Sequence, residues 1–203
     1  MVFVGDSIFQ RNWNAQVWPA ATSARNQLCL AQWRPEIPGR VWRSSYPADA
    51  NYMQVRVEQT ITLTLTNLPP HLALKVSFDL YVLKSWDGNS PRYGPDQWRM
   101  SVFNGRVLLD SSFSNNPKVD AEGSYQNYPK AGSLPKSGAA SKNTLGYSFF
   151  GDSIYHLEFI FPHSKSELKV DFTSSLFEGK GTEDESWGLN NVAVSTSTLP
   201  PPE

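Results

Sequence analysis

The sequence predicts an all-β fold, an antiparallel β-sandwich, from three observations. Apolar residues recur at every second position, turn signals separate those runs, and no segment carries a sustained helical stripe. Aromatic residues make up 13% of the chain beside 15 Pro and 13 Gly, a mixture that favours strands and turns over helices.

Each run supports this in turn. Ile61, Leu63 and Leu65 alternate with Thr60, Thr62, Thr64 and Thr66, and after the break at Pro69-Pro70 the pattern resumes. There Val76, Phe78, Leu80 and Val82 alternate with Lys75, Ser77, Asp79 and Tyr81. Successive side chains of a strand point to opposite faces, so both runs read as strands with one face buried and one wet. Trp98, Met100 and Val102 begin another, and Asn104-Gly105 is a hairpin signal leading into Val107-Leu108-Leu109. Tyr155, Leu157, Phe159 and Phe161 alternate again, as do Leu168, Val170 and Phe172, and a last strand is expected at about 189–194.

Two stretches resist the pattern. Residues 12–55 carry Trp13, Trp18, Trp33 and Trp42 with only weak strand signals. Residues 114–148 are rich in Ser, Gly, Asn, Lys and Pro and lack periodicity, and a long insert of that kind is usually functional or mobile.

At 203 residues the chain suits one large domain with a sizeable core, expected over 1–195 with a Pro-rich tail at 196–203. Net charge is -1 and the 18 basic residues are scattered, which argues against nucleic acid as a partner. No apolar stretch approaches the length of a membrane span, so membrane insertion is not expected, and no charged-then-apolar leader precedes the first strand. The single cysteine, Cys29, lies in the apolar patch Leu28-Cys29-Leu30 and reads as a small buried hydrophobe; no intrachain disulfide can form. A domain outside the cell without disulfides often needs another brace, and bound metal is the obvious candidate.

Two copies of Gly-Asp-Ser-Ile, at Gly5-Asp6-Ser7-Ile8 and Gly151-Asp152-Ser153-Ile154, invite comparison with Gly-Asp-Ser esterases. Those enzymes need an Asp-x-x-His pair late in the chain, and none of His71, His156 and His163 has Asp three residues before it. A serine without a base in reach is not activated, so the reading is a tight turn in which Asp and Ser bond the backbone. The three histidines are too dispersed for a zinc site and read as structural.

The loop from Ser85 to Asp96 is the best candidate site. Asp87, Asn89 and Asp96 offer hard oxygen ligands on a turn-rich backbone, the chemistry calcium selects. It is not an EF-hand: counting from Asp87, Arg92 and Trp98 stand where Gly and Glu are required. The competing reading is a solvated turn in which Asp87 and Asn89 cap local amides. A second acidic run, Glu183-Asp184-Glu185, repels itself unless a cation or solvent screens it. Paired carboxylates also fit glycosidase acid/base chemistry, but that requires set separations across a bond.

Several segments together resemble one family. They are Phe78-Asp79-Leu80-Tyr81, Ser85-Trp86-Asp87-Gly88, Gly94-Pro95-Asp96-x-Trp98, Phe113-Ser114-Asn115, Phe150-Gly151-Asp152-Ser153-x-Tyr155 and Asp184-Glu185-Ser186-Trp187-Gly188-Leu189-x-Asn191-Val192. The set resembles lectin-like ligand-binding domains of bacterial surface proteins, including the calcium-dependent peptide-binding domains of very large adhesins, over about 56–195. The chain departs from that pattern at Asn190, where Asp is usual before Asn-Val.

The resemblance implies a jelly-roll-like, lectin-like sandwich holding several Ca2+ ions. It further implies a shallow groove where one calcium meets a carboxylate, often the free end of a peptide. It assigns Asp87, Asn89, Asp96, Asp184 and Glu185 to metal and Ser85, Trp86, Tyr93, Ser186 and Trp187 to the ligand. The expected function is a non-enzymatic, calcium-dependent adhesion module. Such a domain would recognise a peptide or protein outside the cell or at its surface, and would be monomeric when isolated. The alternative is a carbohydrate-binding module of a secreted hydrolase, gripping sugar rings with Trp42, Trp86 or Tyr93. An esterase acting through Ser7 is the third reading.

Overall fold

A computed structural model describes residues 60–103, 105–177 and 184–201, with the backbone of two further strands at 31–34 and 53–55. The fold is an all-β antiparallel sandwich. In chain order the strands are β1 (Ala31–Arg34), β2 (Met53–Val55), β3 (Thr60–Leu65), β4 (Ala73–Lys84), β5 (Gln97–Val102), β6 (Val107–Ser112), β7 (Ser141–Lys142), β8 (Asp152–Pro162), β9 (Leu168–Ser175) and β10 (Glu185–Ser197). One short helix, α1 (Val119–Glu122), interrupts them.

The first sheet runs β1-β3-β9-β5-β6 and the second β2-β10-β4-β8-β7. Among the described residues every pairing is antiparallel, which needs no crossover helix. The alternation read from the sequence places the faces: Ile61, Leu63 and Leu65 of β3 and Val76, Phe78, Leu80 and Val82 of β4 are buried. These inner faces meet in one core across the two sheets. Phe78 stands edge-on to Phe172 at 5.3 Å, and Trp98 edge-on to Trp187 at 5.8 Å. Such geometry sets the positive ring edge against the negative face, and each buried side chain is worth roughly 1.5–3 kcal/mol.

Three sequence expectations are refined. β10 begins at Glu185, earlier than the apolar pattern suggests, and extends to Ser197, with a bulge between Asn190 and Ala193. The weakly patterned stretch before residue 56 supplies two sheet-edge strands, β1 against β3 and β2 against β10. Segment 114–148 joins a sheet only through the two-residue β7 and is otherwise held largely by polar anchors. Gln126, fully buried, accepts from the backbone N–H of Ser114 (3.1 Å) and of Lys136 (3.0 Å) and donates to the carbonyl of Ser137 (3.0 Å). One amide side chain thereby adds to the backbone bonds this aperiodic segment makes, such as Lys136 N–H to the Ser114 carbonyl at 2.9 Å.

Among the described residues, no helix is long and apolar enough to cross a membrane. Ser7, Cys29 and the four Trp residues before position 56 lie outside the residues whose side chains are described.

Candidate metal centre

Three carboxylates converge at one end of the sandwich. Asp87 lies in the loop after β4, Asp96 immediately before β5, and Glu185 is the first residue of β10. Oxygens from all three fall within 4.8 Å of one another, at 5%, 0% and 1% exposure. These come from segments up to about a hundred residues apart, so the sheet pairing assembles the cluster. Glu185 is opposite Lys84 in the β10–β4 register, which brings the acidic run of one strand against the loop leaving the other.

The loop is built to hold its shape. The Asp87 backbone N–H donates to Asp96 Oδ2, the Phe177 N–H donates to Asp96 Oδ1 at 3.1 Å, and the Asp96 N–H donates to the Gly88 carbonyl at 2.8 Å. Gly88 sits at φ 61°, and a Cβ there would fall 2.3 Å from the Tyr125 carbonyl oxygen. Only glycine fits such a position. Gly88→Ala is therefore expected to lower stability by about 2 kcal/mol or more, read as a fall in Tm by calorimetry. An unchanged Tm would mean the loop is not packed against Tyr125 as described.

Asn116 supports the acidic group from the side. Its Nδ2 donates to Asp87 Oδ1 and, at 2.7 Å, to Glu122 Oε2, while its Oδ1 accepts from the Lys118 N–H at 2.9 Å.

Electrostatically the trio gathers negative charge in the interior. Burial pushes the Asp96 carboxyl up to about 7, with the Asp87 charge adding to the rise against hydrogen bonds from the backbone of Asp87 and Phe177. Burial pushes Glu185 up to about 10, followed by the charges of Asp96, Asp184 and Asp87. Among the described residues, the charges that raise these two groups are those of neighbouring carboxylates. Glu185 Oε1 is buried with no hydrogen-bond partner among the described residues. A buried ionised carboxylate is retained only when paired or coordinated. Proton uptake or a bound cation would relieve the cost of this burial. Three carboxylates offer up to six oxygens, the hard-ligand set that suits calcium, which takes six to eight.

The remaining expected ligands take other places. Asn89 Oδ1 accepts from Ser112 Oγ (2.6 Å) and its Nδ2 donates to Asn127 Oδ1 (2.9 Å), so its side chain ties the loop to the 112–127 segment. Asp184 is half-buried beside the trio, where its Oδ1 and its carbonyl each accept from Ser85 Oγ at 2.6 Å.

The residues expected to face a ligand are mostly interior. Trp86, Trp187 and Ser186 are fully buried and Ser85 nearly so. The Trp86 indole donates to the Ser186 carbonyl at 2.8 Å, which pins the loop to β10. Tyr93 alone keeps a half-exposed ring, with the Arg92 guanidinium 4.8 Å from its centroid.

In the second Gly-Asp-Ser copy, Asp152 accepts from the Thr144 and Leu145 amides (3.1 and 2.9 Å), and Ser153 Oγ donates to Asn115 Oδ1 at 2.7 Å. These are turn and packing roles. Each histidine also has a protein partner: His156 Nδ1 lies 2.8 Å from Asp79, and His71 Nε2 lies 2.7 Å from His163 Nδ1.

The reading from sequence missed Asn116 and Gln126. Both lie in the aperiodic segment, where their roles depend on contacts distant in sequence, and the adjacent Asn115-Asn116 pair was the one available signal.

No family model matches the chain, and neither does any curated protein. Among solved structures it is similar to the infectious bursal disease virus VP2 subviral particle, at 14% identity and a TM-score of 0.32. The match covers 72% of this chain and 30% of that one, so the chain spans under a third of its length. A likeness this distant carries no argument about function.

Proposed function

We propose that this domain is a non-enzymatic binding module of the cell exterior or surface, braced by a divalent cation, calcium by ligand type, and recognising a peptide or protein. The observation that supports it is the buried Asp87–Asp96–Glu185 trio, in which burial and the neighbouring carboxylate charges raise the pKa of Asp96 and of Glu185. Cation binding would tie the loop after β4, the start of β5 and the start of β10 into one rigid end of the sandwich. The burial of all three acids favours bracing over direct contact with a ligand, because a ligand carboxylate reaching the ion would need an open path. The same burial disfavours acid/base chemistry on an external substrate. The glycan alternative loses a stacking platform, since Trp86 is fully buried.

Titration of the chelator-treated full chain with Ca2+ in a calorimeter tests the brace. Saturable heat is expected, and Asp87→Ala is expected to abolish it. Asn116→Ala should weaken affinity about tenfold, because Asn116 orients Asp87 without ligating. Asp184→Ala should weaken it less than Asp87→Ala, as Asp184 lies outside the trio. Absence of heat in the parent protein, with no change in Tm on adding calcium, would end this reading.

A further inference from the structure

If the cation is too deep to meet a ligand, another surface must do so, and one cleft has the required features. It measures about 410 Å3, within the range of ligand sites, and opens between Asn115–Val119, the turn at 134–136 and the segment 143–151. Apolar side chains dominate the lining: Pro117, Leu134, Pro135, Tyr147, Phe149 and Phe150. Phe149 and Leu134 are 70% and 60% exposed. An open aromatic and an open leucine in one concavity form a contact surface awaiting a partner, not a solvated loop tip.

The cleft also holds a cation with spare capacity. Lys136 Nζ donates to Asn143 Oδ1 (2.5 Å) and to the Phe150 carbonyl (2.6 Å). Both hydrogen-bond acceptors are neutral, the nearby Asp152 carboxylate acts on the ammonium only through its charge, and an ammonium has three donors, so one N–H has no hydrogen-bond partner among the described residues. Lys118 stands 5.6 Å from the Phe149 ring, but its charge is paired with Glu122 Oε1 at 3.2 Å, so Lys136 is the cation the cleft offers.

Backbone strain is concentrated at the same place. Lys136, Asn143 and Phe149 all have positive φ, at 61°, 56° and 62°, and all three line the cleft. For a bulky residue such as Phe that conformation is a true outlier, and strain of this kind persists where the surroundings over-determine it for use. The Lys136 ammonium supplies that constraint, clamping Asn143 to the Phe150 carbonyl. Gly151 completes it, because a Cβ there would fall 2.1 Å from Asn143 Oδ1.

We propose that this cleft is the ligand-binding surface and that it takes a peptide segment in which a carboxylate stands beside an apolar or aromatic side chain. Of the preceding reading, only the claim that the domain binds a ligand is needed. Charge complementarity selects the carboxylate and the lining selects its neighbour. A neutral sugar fits poorly, because the polar groups are already committed: Asn115 donates to the Val82 and Lys84 carbonyls and accepts from Ser153, and Asn143 Oδ1 accepts from Lys136. The cleft is joined to the metal centre, since Asn116, between lining residues Asn115 and Pro117, holds Asp87.

The test is amide chemical-shift mapping on the 15N-labelled full chain, cation-free and with calcium. The probes are N-acetylphenylalanine, its uncharged amide and glucuronate. Saturable shifts are expected at Lys136, Asn143, Phe149, Phe150 and Gly151 with the acid, with affinity about tenfold lower for the amide. Lys136→Gln should remove that preference, and Phe149→Ala, at a position 70% exposed, should weaken both phenylalanine probes severalfold. Equal response to acid and amide, shifts centred elsewhere, or no shifts would overturn the assignment. So would glucuronate binding as tightly as the acid, or concentration-dependent shifts without probe, which would mean a second copy covers the cleft. The cation-free arm separates the two ideas: probe binding without any calcium response sinks the metal brace alone.

Discussion

Glu185→Gln is expected to move stability in opposite directions with and without calcium. In the cation-free protein at pH 8, burial and the neighbouring acids hold Glu185 protonated, since its pKa is pushed up to about 10. Folding must then take a proton from a solution that supplies few, which costs on the order of a few kcal/mol. Glutamine has nearly the same shape and needs no proton, so the variant should melt higher than the parent in chelator. With calcium the order is expected to reverse. A cation at a hundred times its Kd stabilises the parent by about 2.7 kcal/mol, and the variant, having lost one charged ligand of three, gains little. Calorimetric melting of both proteins at pH 8, in chelator and in excess calcium, gives four temperatures whose crossing is the signature. If the variant melts lower in chelator and calcium raises both proteins equally, Glu185 is a structural side chain and the cation reading fails.

The second large effect is on pH dependence, and its sign is unusual. Asp96 in the fold has a pKa of about 7 and Glu185 of about 10, both above ordinary carboxylate values. Between the unfolded and folded values the native state holds more protons than the unfolded chain. The stabilisation is therefore complete below about pH 4, and it is lost as pH rises, through about 7 for Asp96 and about 10 for Glu185. Each group contributes up to about 1.4 kcal/mol per pH unit inside its window. Cation-free protein should thus melt progressively lower from pH 5 to pH 8, by several degrees for a domain of this size. Bound calcium would hold the carboxylates ionised and invert the slope, so the loaded protein is expected to lose stability as pH falls. A melting series from pH 5 to 8 in chelator and in calcium reads both slopes. Parallel curves would show that no cation competes with protons at these acids.

The legibility of the fold and of the site differ for physical reasons. Period-two alternation exposes one strand face to water and buries the other, so Ile61-Leu63-Leu65 and Val76-Phe78-Leu80-Val82 could be placed without coordinates. β1 and β2 were not legible, because a sheet edge is recruited by its neighbour's unpaired backbone groups and needs little pattern of its own. Asp87, Asp96 and Glu185 were recognisable as oxygen donors by residue type alone, yet Asn89 looked equally suitable and turned out to bond Ser112 and Asn127. Trp86 and Trp187 read as ligand-facing aromatics, and only the packing shows them fully buried, with Trp187 edge-on to Trp98.

By itself, then, the sequence determined the strand periodicity, the antiparallel sandwich and the stock of acidic side chains, since these depend on near neighbours along the chain. The tertiary structure alone decided which acids meet, how deeply they lie, and that Lys136, Asn143 and Phe149 frame one cleft. Those facts depend on β-sheet register and on polar anchors such as Gln126 and Asn116, which join residues far apart in sequence and leave no local period to read.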